Sequence, residues 1–183
     1  MSDIFELEQR DPDTYRKETR KNTLILIVIF VVLAMGLSTL SVSFFGKPDG
    51  NNFVWNVAGV FTGFILTTLI FKRILWYQPW MNASVYGWEL KRCLMSITNI
   101  MHHVENGIEQ NDITAIKLLR FYHLGLMQMH RLEGNDGGIS ELQKPVQALL
   151  QKIEALELDP QQTRFDPAWI NEVKQKEKQT QKL

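Results

Sequence analysis

Cys93 is the only cysteine among 183 residues, so no disulfide can be closed within the chain. That fits a reducing compartment, and the lone thiol reads as a small buried hydrophobe rather than a reactive group. No excess of either charge sign exists, with 20 basic against 20 acidic residues. From residue 79 onward the count is 12 Lys and Arg against 13 Asp and Glu. A nucleic-acid surface needs a basic excess to displace counterions, so no nucleic-acid partner is expected. There is no phosphate loop, no dinucleotide glycine motif and no nucleophile elbow. Strand signals and internal repeats are also missing. No catalytic residue and no cofactor are therefore expected.

The most informative absence is charge over two long stretches. Residues 24–45 are 22 positions without a charged group, and residues 53–71 are 19 more. At about 1.5 Å per helical residue, each can cross a hydrocarbon core of roughly 30 Å. In lipid each backbone N–H and C=O must be satisfied within its own segment, so both should be helices. The connecting residues 46–52, Gly-Lys-Pro-Asp-Gly-Asn-Asn, are turn chemistry and bring the second span back beside the first. The first run is too long for a cleaved signal's apolar region and should be a retained anchor. The spans hold no ionisable residue, so no proton relay or ion site is expected in them.

Orientation follows from the flanks. Arg10, Arg16, Lys17, Arg20 and Lys21 precede the first span, and Lys72, Arg73, Lys91 and Arg92 follow the second. The loop carries only Lys47, beside Asp49. The positive-inside rule puts both termini in the cytoplasm. Trp55 marks the outer end of span two, and Trp76, Tyr77 and Trp80 mark its inner end. Small residues line one stripe of each span: Ala34, Ser38 and Ser41, and Asn56, Gly59 and Gly63. Folding about the loop pairs Ala34 with Gly63, Ser38 with Gly59, and Ser41 with Asn56. Such stripes let helix backbones approach in lipid. The Gly59–Gly63 spacing serves either this hairpin or a homodimer.

The remainder has room for one small helical domain. Asp11 and Pro12 read as an N-cap and first helical residue, and nothing before Gly36 interrupts a single rod into the membrane. The ten residues before it should lie extended against something or stay mobile. Pro79 ends the helical continuation of span two near Tyr77. Over residues 83–107, Tyr86, Leu90, Cys93, Ile97, Ile100 and Val104 step by four and three, an apolar seam of the coiled-coil type on one long helix. Asn111 and Asp112 offer a cap for the next helix, residues 113–132, whose apolar arc is wide enough for burial on two sides. Residues 133–138 read as a loop, and Ser140 with Gln143 as a capping box opening a third helix. Pro145 then falls within its first two turns. Asp166 and Pro167 precede a short helix over 168–173, and residues 174–183 should fray.

Four histidines are present: His102, His103, His123 and His130. None has Asp or Glu four residues on to complete a helical metal pair, so no metal site is expected from local spacing. The speculative ligand or metal set is His102, His103, Arg120, Tyr122 and His123, polar groups on otherwise apolar helices. They would need two helices to converge.

The stretches DPDTYRK from Asp11, FGKPDGNNF from Phe45, QPWM from Gln78, VYGWELKR from Val85, ITNIMHHV from Ile97, LLRFYHLGL from Leu118 and LDP from Leu158 resemble a family of proteobacterial inner-membrane proteins, domain of unknown function 3087. The likeness implies an inner-membrane location and a two-span anchor. It implies no activity and carries over no catalytic residue.

The expected fold is all-α: a two-helix transmembrane hairpin with a C-terminal cytoplasmic helical domain. Its expected parts are a cytoplasmic segment 1–23, the hairpin 24–71, an interfacial linker 72–80, the helical domain 81–173 and a polar tail 174–183. The expected role is a non-enzymatic interaction or scaffold module, multi-pass in the inner membrane. Its partners would be the lipid bilayer and either a protein partner or a second copy. The alternative is a cytoplasmic-side ligand or metal sensor, or an enzyme, on the histidine-bearing helices.

Overall fold

A computed structural model describes residues 4–180. Seven α-helices carry about three quarters of the described residues and the strands only four, so the fold is all-α. They are α1 (Pro12–Phe45), α2 (Phe53–Arg73), α3 (Asn82–Thr98), α4 (Met101–Glu109), α5 (Ile113–Glu133), α6 (Asp136–Ala155) and α7 (Ala168–Thr180). Two-residue strands β1 (Phe5–Glu6) and β2 (Arg164–Phe165) pair antiparallel. The chain divides into two compact units, residues 16–85 and residues 1–15 with 86–183.

α1 is the uninterrupted helix that its sequence suggests, with residues 16–45 in the first unit. Asp11 Oδ2 accepts from Thr14 N at 2.9 Å, and Pro12 opens the helix where its missing N–H costs nothing. The turn to α2 is held by Asn52, whose Oδ1 accepts from Lys47 N (2.9 Å) and whose Nδ2 donates to Lys47 O (3.1 Å). Past Arg73 the chain tightens into 3-10 turns, Leu75–Tyr77 and Pro79–Met81, because Pro79 cannot continue a helix. Both α1 and the stretch Phe53–Tyr77 are long and apolar enough to cross a membrane. Only 6% and 11% of their most apolar windows are buried, whereas the core helix of a soluble protein would be mostly buried. Thr39, Thr62, Thr67 and Thr68 turn their hydroxyls back onto carbonyls four residues earlier, so these hydroxyls need no water.

The hairpin closes through its glycines. A Cβ on Gly59 would lie 2.4 Å from Ser38 Cα, and one on Gly63 2.8 Å from Ala34 Cα. Only a hydrogen fits at such an approach. Ser38 Oγ donates to Asn56 Oδ1 at 2.8 Å, one turn short of the Ser41 that the folded-back register pairs with Asn56. Phe30 meets Phe64 edge-on, and Phe45 stacks on Trp55 with centroids 5.0 Å apart. Asn22, 2% exposed, donates to Trp80 O (3.1 Å) and Ser84 Oγ (2.9 Å), which pins the chain beyond α2 to the start of α1.

The second unit is built around α5. Phe121, Leu118 and Ala115 are fully buried with Leu90, Ile97 and Val104 of α3 and α4. On another side Ile116 packs with Leu149 and Ile153 of α6, so α5 is covered on two faces as its wide arc implies. Asp112 caps α5 by accepting from Thr114 N, and Gly134 ends it in the left-handed conformation (φ 74°). The single long helix expected over 83–107 is broken at Asn99 and Ile100. Ile100 leaves helical geometry (φ −123°, ψ 17°), and α4 restarts with Ile100 O accepting from both His103 N and Val104 N. Ile97, Ile100 and Val104 are all buried on either side of the break.

Two further boundaries differ from the sequence expectation. Asn135, not Ser140, caps α6, accepting from Gly138 N at 3.1 Å, so the expected loop is largely helix and Pro145 lies mid-helix. Ser140 instead donates back to Asp136 O. Asp166 does cap α7, but α7 runs on to Thr180, past the expected fraying point; residues 181–183 of that tail lie outside the described residues. The strand pair was also unsignalled. Phe5 sits opposite Phe165, and both rings meet Phe121. The N-terminal segment is latched by a closed triangle: Glu8 N donates to the Tyr86 hydroxyl, that hydroxyl donates to Gln128 Oε1, and Gln128 Nε2 donates to Glu8 O.

Candidate functional site

Spacing on three helices of the second unit creates a groove. Met101, Glu105 and Ile108 share one face of α4, and Leu119, Tyr122, His123 and Leu126 share one face of α5. On α6, Leu142, Pro145, Leu149 and Lys152 complete the walls. Together they line an open groove of about 490 Å³, mostly apolar. Residue 145 has no N–H, so Glu141 O has no helical donor there.

His123 is 4% exposed, and its Nδ1 is buried without a hydrogen-bond partner. Burial first, and the Arg120 charge second, push its pKa down to about 4. It is a neutral imidazole at physiological pH. Arg120, one turn earlier and buried, donates from Nε to Pro160 O at 2.7 Å, while its Nη1 is buried and unpartnered. Burial lowers its pKa too. The Tyr122 ring lies 6.2 Å from that of His123. Lys152 Nζ donates to Ile108 O and has no carboxylate partner among the described residues.

The five speculative residues do not converge. Tyr122 and His123 line the groove, Arg120 turns to the Pro160 carbonyl, and His102 and His103 lie outside its lining. The two adjacent rings on α4 are 3.7 Å apart by centroid, and His102 is exposed. Among the described residues no three His, Cys, Asp or Glu side chains gather where they could hold a metal ion. His130 is drawn off to Asn135, 3.2 Å away. Cys93 is half-buried against the core, and burial raises its pKa to about 11, so little thiolate exists at neutral pH. Glu105 and Lys152 were not singled out from sequence, and Pro145 was read only as an early position of its helix. The one available signal was the step of three and four from Met101 to Glu105 to Ile108, which reads equally as a solvated helix edge.

Of the six small residues on the two apolar helices, five lie in the contact between them. Ala34, Ser38, Gly59 and Gly63 meet at backbone distance, Asn56 bonds Ser38, and Ser41 lines a separate recess of about 330 Å³ with Phe44, Trp55 and Gly59.

A family of proteins described as "Protein of unknown function (DUF3087)" matches residues 5–170 of the chain. No curated protein and no solved structure matches it.

Proposed function

The chain belongs to this DUF3087 family of proteins of unknown function, and from that premise we propose that it is a non-enzymatic helical module tethered to the inner membrane, with both termini cytoplasmic. The hairpin carries the reading. Two apolar helices that bury their glycine faces on each other and leave Val32, Phe61 and Leu69 outward are unfavourable in water and favourable in lipid. Basic residues on both outer flanks supply the orientation. The dispersal of the polar candidates supports an interaction or scaffold role, with a protein partner or a second copy, over chemistry. A second reading, a small-ligand sensor, is favoured by one observation: a buried, unpartnered His123 lines a cavity.

Alkaline phosphatase fused after Asn51 should be active, and fused after Leu183 inactive. The reverse pattern would overturn the orientation. Release of the protein from membranes by alkaline carbonate would overturn the anchor itself.

A further inference from the structure

The groove between α4, α5 and α6 is the strongest feature that packing alone does not explain. It is an open groove, and about 490 Å³ is the scale of a small-molecule site. Its apolar walls run lengthwise, from Ile108 and Leu119 toward Met101 and Leu126. Its polar groups are few. His123 is 96% buried by its 4% exposure, and Nδ1 has nothing to bond. Lys152 reaches Ile108 O and so stands at the Ile108 end, with donors to spare and no carboxylate partner among the described residues. Glu105 also lines the groove but is exposed, where water screens it.

We infer that this groove binds a small anionic amphiphile of the fatty-acid type, its chain along the Leu119–Leu126 wall past His123 and its carboxylate accepting from Lys152. The inference rests on the ligand-sensor reading and is independent of membrane topology. An unneutralised ammonium beside apolar walls favours a carboxylate over an alcohol. Such an anion could come as a free fatty acid or as an acidic lipid, and the chemistry at the groove is shared.

The test uses the full chain in phosphatidylcholine nanodiscs, labelled with carbon-13 at histidine Cε1 and titrated with decanoate. The His123 signal is identified by its loss in His123→Gln. It should shift saturably while those of His102 and His103 stay still. Lys152→Gln should weaken the affinity about tenfold or more, the loss expected for a hydrogen bond to a charged group. Ala148→Trp, on an exposed position of the groove wall, should abolish binding with the helical circular dichroism unchanged. Decanol should bind at least about tenfold more weakly. If decanol matches decanoate, the anionic class is wrong although the cavity binds. If neither gives a saturable shift, or Ala148→Trp leaves it intact, the site itself is wrong. Repeating the experiment in phosphatidylglycerol nanodiscs separates the sources: an acidic lipid would shift His123 before decanoate is added, and a free anion would not.

Discussion

The Tyr15 phenol oxygen lies 2.0 Å from the point that a Cβ on Gly87 would occupy. Gly87 is therefore a notch in α3 that receives the ring ending the N-terminal segment of the same unit. A glycine inside a helix costs about 1 kcal/mol relative to alanine, and here the close approach explains it.

Gly87→Ala should destabilise the chain by up to about 2 kcal/mol, because overpacking outweighs the gain in helix propensity. Tyr15→Phe in the same chain should recover part of that loss, since it removes the oxygen that clashes. A double-mutant cycle by chemical denaturation should give a coupling of about 0.5–3 kcal/mol. Additive effects would mean that the two side chains do not meet.

Gly59→Ala should loosen the hairpin, because the new methyl would stand 2.4 Å from Ser38 Cα, an atom that cannot move alone. Gly36→Ala on the same pair of helices should be neutral or mildly stabilising, since nothing lies within 4 Å of it. Unfolding in mixed micelles with rising dodecyl sulfate would rank the two. Equal midpoints would reject the close packing.

Ile97→Ala should cost roughly 2–5 kcal/mol, since Ile97 is 0% exposed and truncation leaves a cavity in the main core. Met95→Ala, two residues away and 65% exposed, should stay within about 0.5 kcal/mol. Denaturant midpoints of the two full-length variants make the comparison. A silent Ile97→Ala would mean that this seam faces water.

His123 should make the second unit acid-sensitive. Its folded pKa, about 4, lies below the usual 6.5, so the unfolded chain binds the proton first. Nothing is lost above pH 6.5, and stability falls as pH drops from there toward 4, by up to about 3 kcal/mol. His123→Phe should flatten that part of the pH profile relative to the parent, whatever the other titrating groups contribute. Parallel profiles would place His123 in water.

Composition and periodicity carry much of this protein. Charge-free runs over 24–45 and 53–71 are long enough to dictate helices without reference to anything else, because helical hydrogen bonds are local. The small-residue stripes of the two spans were visible for the same reason, as helical spacing alone puts Ala34, Ser38, Gly59 and Gly63 on facing sides. Caps whose side chain bonds the next turn, Asp11, Asp112 and Asp166, were equally legible.

What tertiary structure decided were the features whose cause lies far away in sequence. The break at Ile100 falls where no proline or glycine interrupts the sequence, within a run whose apolar residues are buried with those of α5. Asn135 replaced the capping box because Gly138 N was within its reach, and nothing in Ser140 forbids the longer α6. The pairing of Phe5 with Phe165 joins residues 160 positions apart, which no local pattern encodes. The groove is of the same kind: His123 and Lys152 were ordinary helix residues until α4, α5 and α6 packed with space between them. Local hydrogen bonding writes helices into sequence, whereas a cavity exists only where several helices fail to fill the same volume.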